Sequence, residues 1–403
     1  MIGGVEYKLW LDGTPVDEKF YTMIETVTVE QGIDLATEAR LEVEMCATDD
    51  GTWSGPTDDY ATPWQNLRLE VRNRNSRWVP LIDGPVVSWD ATMHGQPGQS
   101  TFMLIARDAT EYLNREARIE AYEKKTDEQL IRDLFERHGF DKEHVHLDEI
   151  PPQPKDRPLK HIQRGTDIEM LRSIAEPYDL HVYVVPGDEV NTSEAHVKRL
   201  RTTGATDVPV LVLTGADRNV ESCQARNDIA NATRYQFMDF DIDKVDAGRV
   251  TLTSKWSKED ANPVPDPRLP PDPKRGEVHR VGAVVQLQGA VSTVTDLKHL
   301  GTQILSPYVS AFRNVTEVGA RAQQRSSYTI TVTGQVRAGC YDGVMRAYDR
   351  VKLRGVNAKL CTTYVVREVT HTFDRSEYRQ DFTLMTNSVA EAAMSPAVPA
   401  GVL

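Results

Sequence analysis

The chain has 403 residues, of which 39% are hydrophobic and 27% are charged, a composition typical of soluble globular proteins. This length is too great for one hydrophobic core and predicts two or three domains. The formal net charge of −13 argues against a general nucleic-acid-binding protein, because such proteins carry a basic excess.

The four cysteines lie far apart and lack the C-x-x-C spacing of zinc and redox sites; they are Cys46, Cys223, Cys340 and Cys361. Reduced, partly buried thiols are therefore expected. The opening residues, MIGGVEYKLW, lack the basic segment and apolar run of a secretory signal. No stretch approaches the roughly 18 apolar residues of a membrane span. We expect the protein to be made and to mature in the cytoplasm.

Residues 1–108 have the pattern of an all-β domain. The segments EYKLWLDG, TMIETVTVEQG and ARLEVEM alternate apolar with polar residues, as half-buried strands do. Four more segments continue this pattern: LRLEVRN, RWVPLIDG, VVSWDATM and TFMLIAR. Short strands at this spacing predict a small barrel or sandwich.

Residues 109–220 carry helical signals and predict an inserted α/β domain. Two capping boxes, Thr126 with Gln129 and Thr166 with Glu169, each precede apolar residues spaced along one helix face. In a capping box the hydroxyl and the Glu or Gln side chain each accept a hydrogen bond from the other residue's backbone N–H. Both helices should therefore begin at these threonines.

The two helices are expected to end at Gly139 and at Pro177, since glycine favours the left-handed cap and proline cannot continue a helix. The segment ATEYLNREARI, directly after residue 108, predicts a further helix or a turn. LHVYVV follows the second capped helix and should be a strand, with VPVLVLTG (residues 208–215) as its expected partner.

Residues 221–390 return to a β pattern and predict a second β domain. Prolines concentrate in a loop at 262–276 and favour extended, exposed backbone there. The spacing of apolar residues predicts a helical segment at 295–325, kinked or divided by a proline. Residues 391–403 lack a pattern and are expected to form a flexible tail.

One segment recurs in the two β domains. VVSWDATMHGQPGQSTFMLIAR and YVVREVTHTFDRSEYRQDFTLM both run from a Val-Val strand through a turn to a Phe-x-Leu strand. This alignment pairs Val87 with Val366 and Phe102 with Phe382. Our hypothesis is that one β module is used twice.

The sequence lacks the G-x-S-x-G, H-E-x-x-H, P-loop and G-x-G-x-x-G motifs of common enzymes. The most metal-like segment is HVHLDE, which contains His144, His146, Asp148 and Glu149. Alternate residues of a strand share a face and could meet one ion, but this charged segment precedes PPQP and favours a solvated loop. His371 lies in a strand pattern and is expected to be a packed or interface residue rather than a general base.

Adjacent carboxylates allow a glycosidase to be considered, through Asp58 with Asp59 or Asp239 with Asp241. Such an enzyme needs two carboxyl groups held across a cleft, and sequence adjacency in acidic segments favours a solvated face instead.

A second alternative is an OB-type barrel, which stacks single-stranded nucleic acid on aromatic and basic side chains. Side chains of these kinds are interleaved in one segment, as Trp64, Arg68, Arg72, Arg74, Arg77 and Trp78. The acidic net charge and the repeated β pattern favour packing on the strand face.

Four segments together resemble the phage late control gene D family, the baseplate hubs of contractile tails and the hub half of the VgrG spike proteins of type VI secretion. The segments are YKLWLDGTPVDEKFYTMIETVTVEQGIDLATEARLEVEM, RDATEYLNREARIEAYEKKTDEQLIRDLFERHGF, RGTDIEMLRSIAEPYDLHVYV and YVVREVTHTFDRSEYRQDFTLM. Leu130 stands at the first apolar helix position of the family pattern. Met170 stands where the family usually has Phe, and Pro177 with Tyr178 stands where it often has Gly.

The resemblance implies an α+β, mainly β fold, with two related β-barrel tube domains flanking the inserted α/β domain. Three copies would form a ring that adapts the six-fold tail tube to the three-fold spike and lines the central channel. The implied partners are the spike protein, the tail tube protein, other baseplate proteins, and a tape measure or cargo. No enzyme activity, cofactor, metal, or stable membrane or nucleic-acid binding is implied.

The sequence ends near residue 403 without the OB domain and β-helix of VgrG, so the spike is expected to be a separate chain that joins the hub in the assembled particle. Side chains of the barrel strands are expected at the protomer interface, namely Val351, Leu353, Val366, His371, Phe382, Trp64, Val87 and Trp89. The alternatives kept are a tail-associated cell-wall hydrolase and an OB-type single-strand-binding protein.

Overall fold

The structure is a computed structural model. It describes residues 5–47, 53–54, 62, 64–74, 76–96, 98–150, 160–201, 204–228, 230, 233–237, 239–240, 252–253, 279–281, 290–292, 301–304, 321–322, 324–337 and 339–390. Within these ranges, no helix has both the length and the apolar character needed to cross a membrane.

The first hundred residues form strands and one short helix. In chain order these are β1 (Val5–Leu11), β2 (Thr14–Pro15), α1 (Glu18–Met23), β3 (Ile24–Gly32), β4 (Glu38–Ala47), β5 (Trp53–Ser54), β6 (Asn66–Asn73), β7 (Val79–Thr92) and β8 (Ser100–Arg107). The expected alternation is present in β8, where every second side chain from Ser100 is buried. Residues 1–108 are therefore β-rich, as predicted.

The central part mixes helices and strands. Its elements are α2 (Thr110–Leu113), β9 (Ala117–Glu123), α3 (Asp127–Arg137), β10 (Val145–Leu147), β11 (Lys160–Thr166), α4 (Asp167–Ala175), β12 (His181–Pro186) and β13 (Ser193–Lys198), with 3₁₀ turns at Lys142–His144 and Glu176–Tyr178. The apolar faces of α3 and α4 pack on β12 and β13, and together they form a separate hydrophobic core.

The remaining part is again mostly strand. Its elements are β14 (Leu211–Val212), β15 (Val220–Asn227), β16 (Thr233–Phe237), β17 (Asp239–Phe240), β18 (Leu252–Thr253), β19 (His279–Val281), β20 (Ala290–Ser292), β21 (Gly301–Ile304), β22 (Ile330–Val336), β23 (Arg350–Arg354), β24 (Thr363–Asp374), β25 (Tyr378–Thr386) and β26 (Ser388–Ala390). Residues 321–322 and 324–326 are helical, and Ala358–Leu360 is a 3₁₀ turn.

One continuous sheet runs through both β-rich parts, in the order β15-β22-β25-β24-β3-β4-β8-β7-β6-β1-β2. The two parts meet where β24 pairs antiparallel with β3, from Glu368 opposite Gly32 to Asp374 opposite Thr26. Both strands are paired on both sides, so neither exposes an edge here. Backbone hydrogen bonds across this junction therefore fix the two parts to each other.

Each β-rich part has its own hydrophobic core. The first core also takes in Phe373 and Tyr378, which belong to the hairpin of β24 and β25. Side-chain packing therefore joins the two parts at the β3–β24 junction, in addition to the backbone hydrogen bonds. The chain is mainly β with antiparallel sheets, as the sequence predicted.

Both capping boxes form as predicted. Thr126 and Gln129 cap α3, and Thr166 and Glu169 cap α4, with both reciprocal hydrogen bonds present in each case. Gly139 follows the end of α3 with a positive φ of 81°. These features were predictable because each depends on residues only a few positions apart.

One prediction of secondary structure was wrong, namely the partner of β12, and two hold only in part. ATEYLNREARI forms a helix only over Thr110–Leu113 and then enters β9, which pairs with β11. VPVLVLTG contributes only the short β14, which pairs with β23, whereas the partner of β12 is β13. Within the segment expected to be helical at 295–325, residues 301–304 form β21, paired with β16.

The recurring hairpin exists, but its copies align differently from the sequence alignment. Both hairpins have a β-bulge directly after a paired valine, Val86 in β7 and Val366 in β24. Matching the bulges therefore places Val366 with Val86 rather than with Val87. Counting from the bulges, Phe382 matches Leu104, because these two residues pair with Val369 and Trp89.

Gly84 allows β7 to change partners from β6 to β8. A Cβ atom at Gly84 would lie 2.0 Å from the carbonyl oxygen of Arg107, which is backbone and cannot rotate away. Only glycine fits this close approach of two strands.

The proline-rich loop at 262–276 and the tail at 391–403 lie outside the described residues. The three domain boundaries expected from the sequence stay predictions. The pairing of β14 with β23 favours moving the second boundary towards residue 201.

Candidate functional site: the junction of the three cores

Asp34 lies where the three cores meet. Its backbone N–H donates to the Tyr348 hydroxyl at 2.9 Å, and its carboxylate lies 2.9 Å from His181 Nδ1. Burial acts to raise the pKa of Asp34, but the hydrogen bond and charge of His181 outweigh it and lower that pKa, with help from two arginines. One residue of the β3–β4 turn thus ties the central part to the final part.

A stack of rings extends from this point across β12, β13 and β10. Tyr348 stacks on Tyr183 with centroids 3.7 Å apart, and Tyr183 stacks on His196 at 5.1 Å. His196 in turn stacks on His146 at 4.8 Å. Burial lowers the pKa of His196 to about 3, aided by the nearby positive charge of Lys198, so this imidazole is neutral at physiological pH.

A cavity of about 430 Å³ lies beside the stack and is lined by all three parts of the chain. Its wall carries both charge signs. Burial raises the pKa of Asp349 to about 6, although the charge and backbone N–H of Arg346 oppose this. Burial also acts to raise the pKa of Asp207, but three hydrogen bonds from Arg350 outweigh it and lower that pKa. Arg346 and Arg350 therefore stabilise the carboxylates of Asp349 and Asp207 within the fold.

Arg68 of β6 forms the most buried ionic contact at the junction, with no exposed side-chain area. Its guanidinium donates to Asp83 at 2.8 Å and to Glu70 at 2.6 Å. It also donates to carbonyl oxygens of the β12–β13 turn, among them that of Gly187 at 2.9 Å and that of Glu189 at 2.8 Å. Arg68 thereby attaches the central part to the first sheet.

Arg72, Arg74, Trp64 and Trp78 of this segment also make contacts within the chain. Arg72 pairs with Glu6 and lies over the ring of Trp78, and Arg74 pairs with Asp342. The ring of Trp64 packs beneath the guanidinium of Arg115 at 3.9 Å. Arg68 and Arg72 lie on β6, whereas Trp64, Arg74 and Trp78 lie outside the strands.

Five of the eight expected interface residues have almost no accessible surface in the chain. Val351, Leu353, Val366, His371 and Phe382 are 0–3% exposed, all in the interior of the fold. The alternation that marked them reflects burial within the chain, and they offer no surface to a second protomer. Trp64, Val87 and Trp89 retain exposed area, at 39% and 52% for the two tryptophans, and stay interface proposals.

His371 is packed, as expected. Its Nδ1 lies 2.8 Å from the Tyr378 hydroxyl, and burial lowers its pKa to about 3. The residue pairs with Val29 of β3 on one side and with Gln380 of β25 on the other. It therefore lies directly at the seam of the continuous sheet.

HVHLDE is not a loop throughout, since Val145–Leu147 forms β10 beside β13. His144 lies in the preceding 3₁₀ turn, and Asp148 accepts hydrogen bonds from Arg199 and Arg201. Among the described residues, the four candidate side chains of HVHLDE do not cluster as a metal site with one another. Asp58, Asp59 and Asp241 lie outside the described residues, so the carboxylate pairs considered from the sequence have no geometry to report.

The structure has two apolar surface patches, and of their residues only Trp89 was expected at an interface from the sequence. Trp89 on β7 and Met93, directly after the end of this strand, are 52% and 58% exposed. On the β9–β11 ribbon, Ile119 and Ile162 are 89% and 52% exposed on the face opposite buried Tyr122. Apolar side chains in such clusters mark contact surfaces more often than isolated ones do. The β9–β11 pairing was the missing information, because it brings Ile119 and Ile162 together.

No protein-family model matches the sequence, and no curated protein sequence matches it. The fold does match solved structures. The 43 kDa tail protein of prophage MuSo2 from Shewanella oneidensis has a TM-score of 0.59 at 13% identity, over 94% of this chain and 98% of that one. A tail protein from Neisseria meningitidis MC58 gives 0.57 at 13%, over 95% and 97%.

The E. coli c3393 protein, a component of the type VI secretion system, gives a TM-score of 0.51 at 11% identity, over 94% of this chain and 76% of that one. The matches to the two tail proteins extend over nearly the full length of both chains. This protein therefore has the fold of phage tail proteins and of a type VI secretion component.

Proposed function

We propose that this chain is a structural hub of a contractile tail or tail-like injection particle. Three copies would form a ring that joins a six-fold tail tube to a three-fold spike and lines the channel between them. The observation that carries the proposal is the single sheet that joins two β-rich parts through β3 and β24, in a chain that matches a tail-protein fold over 94% of its length.

The duplicated hairpin supplies the symmetry argument. Each chain contributes two bulged hairpins, β7–β8 and β24–β25. A ring of three chains would therefore present six similar elements around its axis, while its other contacts would follow three-fold symmetry. The rigid β3–β24 seam would hold the two elements of each chain at a fixed angle. The proposed role is mechanical, with the tube protein, the spike, other baseplate proteins and a transiting cargo or tape measure as partners.

The exposed apolar patches are proposed as protomer contacts. We expect Trp89→Ser and the double variant Ile119→Ser with Ile162→Ser to weaken the trimer at least about tenfold in sedimentation velocity. The unfolding free energy should fall by about 0.5–1.5 kcal/mol in Trp89→Ser, because the Trp89 ring stacks on Phe102. The isoleucine double variant should change it by no more than about 1 kcal/mol, because both side chains are at least half exposed.

Leu35→Ser is the matched control, because Leu35 is 61% exposed and lies outside both patches. It should leave the association unchanged. If both patch variants associate as tightly as the native chain, these surfaces are not the protomer contacts, and Trp64 and Val87 become the next positions to test.

A cell-wall hydrolase is the second candidate, and one observation favours it. Asp349 has a raised pKa and lies with Asp207 in the wall of the junction cavity, where a general acid and a second carboxylate would be needed. A turbidity assay on peptidoglycan decides between the candidates. Lysis that disappears in Asp349→Asn would support the hydrolase, and no lysis is the result expected for the hub.

A further inference from the structure

We propose that His146, Glu194 and His196 form a binding site for a transition-metal dication of the Zn²⁺ type. The three residues lie on one face of the sheet formed by β10, β12 and β13. His146 and His196 are direct cross-strand partners, and Glu194 precedes His196 by two residues on the same strand. Strand geometry therefore turns all three side chains towards one point.

Two of the three distances between the ligand atoms fit a tetrahedral ion. Metal–ligand distances of about 2.0–2.1 Å place neighbouring ligands of a tetrahedral Zn²⁺ about 3.3 Å apart. Glu194 Oε2 lies 3.3 Å from His146 Nε2 and 3.5 Å from His196 Nε2, and the three donor atoms all lie within 4.8 Å of one another. The ring of His146 stacks on that of His196, but its side chain is 39% exposed, so it can turn out of the stack and bring the two imidazole nitrogens closer together.

His196 is placed as a ligand rather than as a hydrogen-bonding core residue. Its side chain is 12% exposed, and neither ring nitrogen has a hydrogen-bond partner among the described residues. A buried imidazole ordinarily satisfies at least one nitrogen, and an ion bound at Nε2 would supply the partner that the described residues do not give this ring. Tyr183 stacks on the opposite face of the ring and fixes its orientation.

The ligand types select the class of ion. Two imidazoles favour Zn²⁺ and its neighbours over Mg²⁺ and Ca²⁺, which prefer oxygen ligands. Positive charge from Lys198 and Arg346 reaches His196, so the carboxylate of Glu194 is needed to hold a dication there. Three protein ligands leave a fourth position open on the exposed His146 side, for water or for a group from another chain.

The test is calorimetric titration of the chelator-treated full chain with Zn²⁺. We expect one Zn²⁺ per chain, and at least about tenfold weaker binding in His146→Ala and in Glu194→Gln. His144→Ala is the matched control, because it removes an exposed imidazole two residues from His146 and should leave binding unchanged. Co²⁺ serves as a second probe, whose visible absorption reports tetrahedral coordination in the native chain and its loss in Glu194→Gln.

Absence of Zn²⁺ binding in the native chain would overturn the site. So would binding that is equal in the native chain, His146→Ala and Glu194→Gln, because the ion would then lie elsewhere, for example on the cysteine thiols. Thermal unfolding with Zn²⁺ gives an independent readout. The Tm of the native chain should rise with added Zn²⁺, and that of Glu194→Gln should not.

Discussion

Arg68→Met should destabilise the protein by about 3–5 kcal/mol, because it leaves Asp83 as a buried charge without its cation. Asp83 has 2% of its side chain exposed, so water cannot replace the guanidinium. The substitution also removes the donors to the carbonyl oxygens of Gly187, Asp188 and Glu189. Chemical denaturation measures the loss, and proteolysis should become faster at the β12–β13 turn.

Arg72→Met is the matched control on the same strand. Its ion pair with Glu6 is about one-third exposed on each side, and such pairs contribute about 1 kcal/mol or less. Combining Arg68→Met with Asp83→Asn should recover part of the stability, because the unpaired charge is then gone. An Arg68→Met variant no less stable than Arg72→Met would show that this contact does not hold the central part in place.

His371 should make the protein less stable in mild acid. The unfolded chain binds a proton on this imidazole near pH 6.5, whereas burial holds the folded-state pKa at about 3. Below pH 6.5 the unfolded state therefore binds more protons, and stability falls as the pH falls. Relative to His371→Gln, the native chain should lose about 2 kcal/mol of unfolding free energy between pH 7 and pH 5.

The measurement is denaturation of both proteins at several pH values, read as the difference between them. Other titrating groups cancel in that difference, including His196 and the carboxylates. His94→Gln is the control, because His94 is exposed to water in the folded chain, and it should leave the pH dependence unchanged. If native and His371→Gln proteins lose stability in parallel, His371 is not held neutral at the sheet seam.

The predictable parts of this fold are those encoded over a few residues. The capping boxes at Thr126 and Thr166 fix helix starts through hydrogen bonds that span three positions. Strand alternation identified β3, β4 and β8 for the same reason. Which strands pair with each other depends on contacts far apart in sequence. Accordingly, β13 was missed beside β12, because SEAHVK places only Ala195 and Val197 on its buried face.

The candidate sites also depend on contacts between residues that are far apart in the sequence. His146 was recognised as a metal-like residue, but its neighbours Glu194 and His196 lie some fifty residues later and meet it only through the β10–β13 pairing. The expected interface residues show the converse error. Alternation marks a buried side chain, and cannot distinguish a side chain buried by its own chain, such as Leu353, from one buried by a second copy.

The most direct test of the hub proposal is the mass of the purified chain by light scattering, alone and with the candidate spike protein. We expect a mass near three times 45.3 kDa in at least one of the two samples. In the mixed sample, the mass contributed by the spike protein is subtracted first. A trimer seen only with the spike would show that the partner drives assembly. A monomer of 45.3 kDa under both conditions, with no complex formed, would contradict the proposed ring.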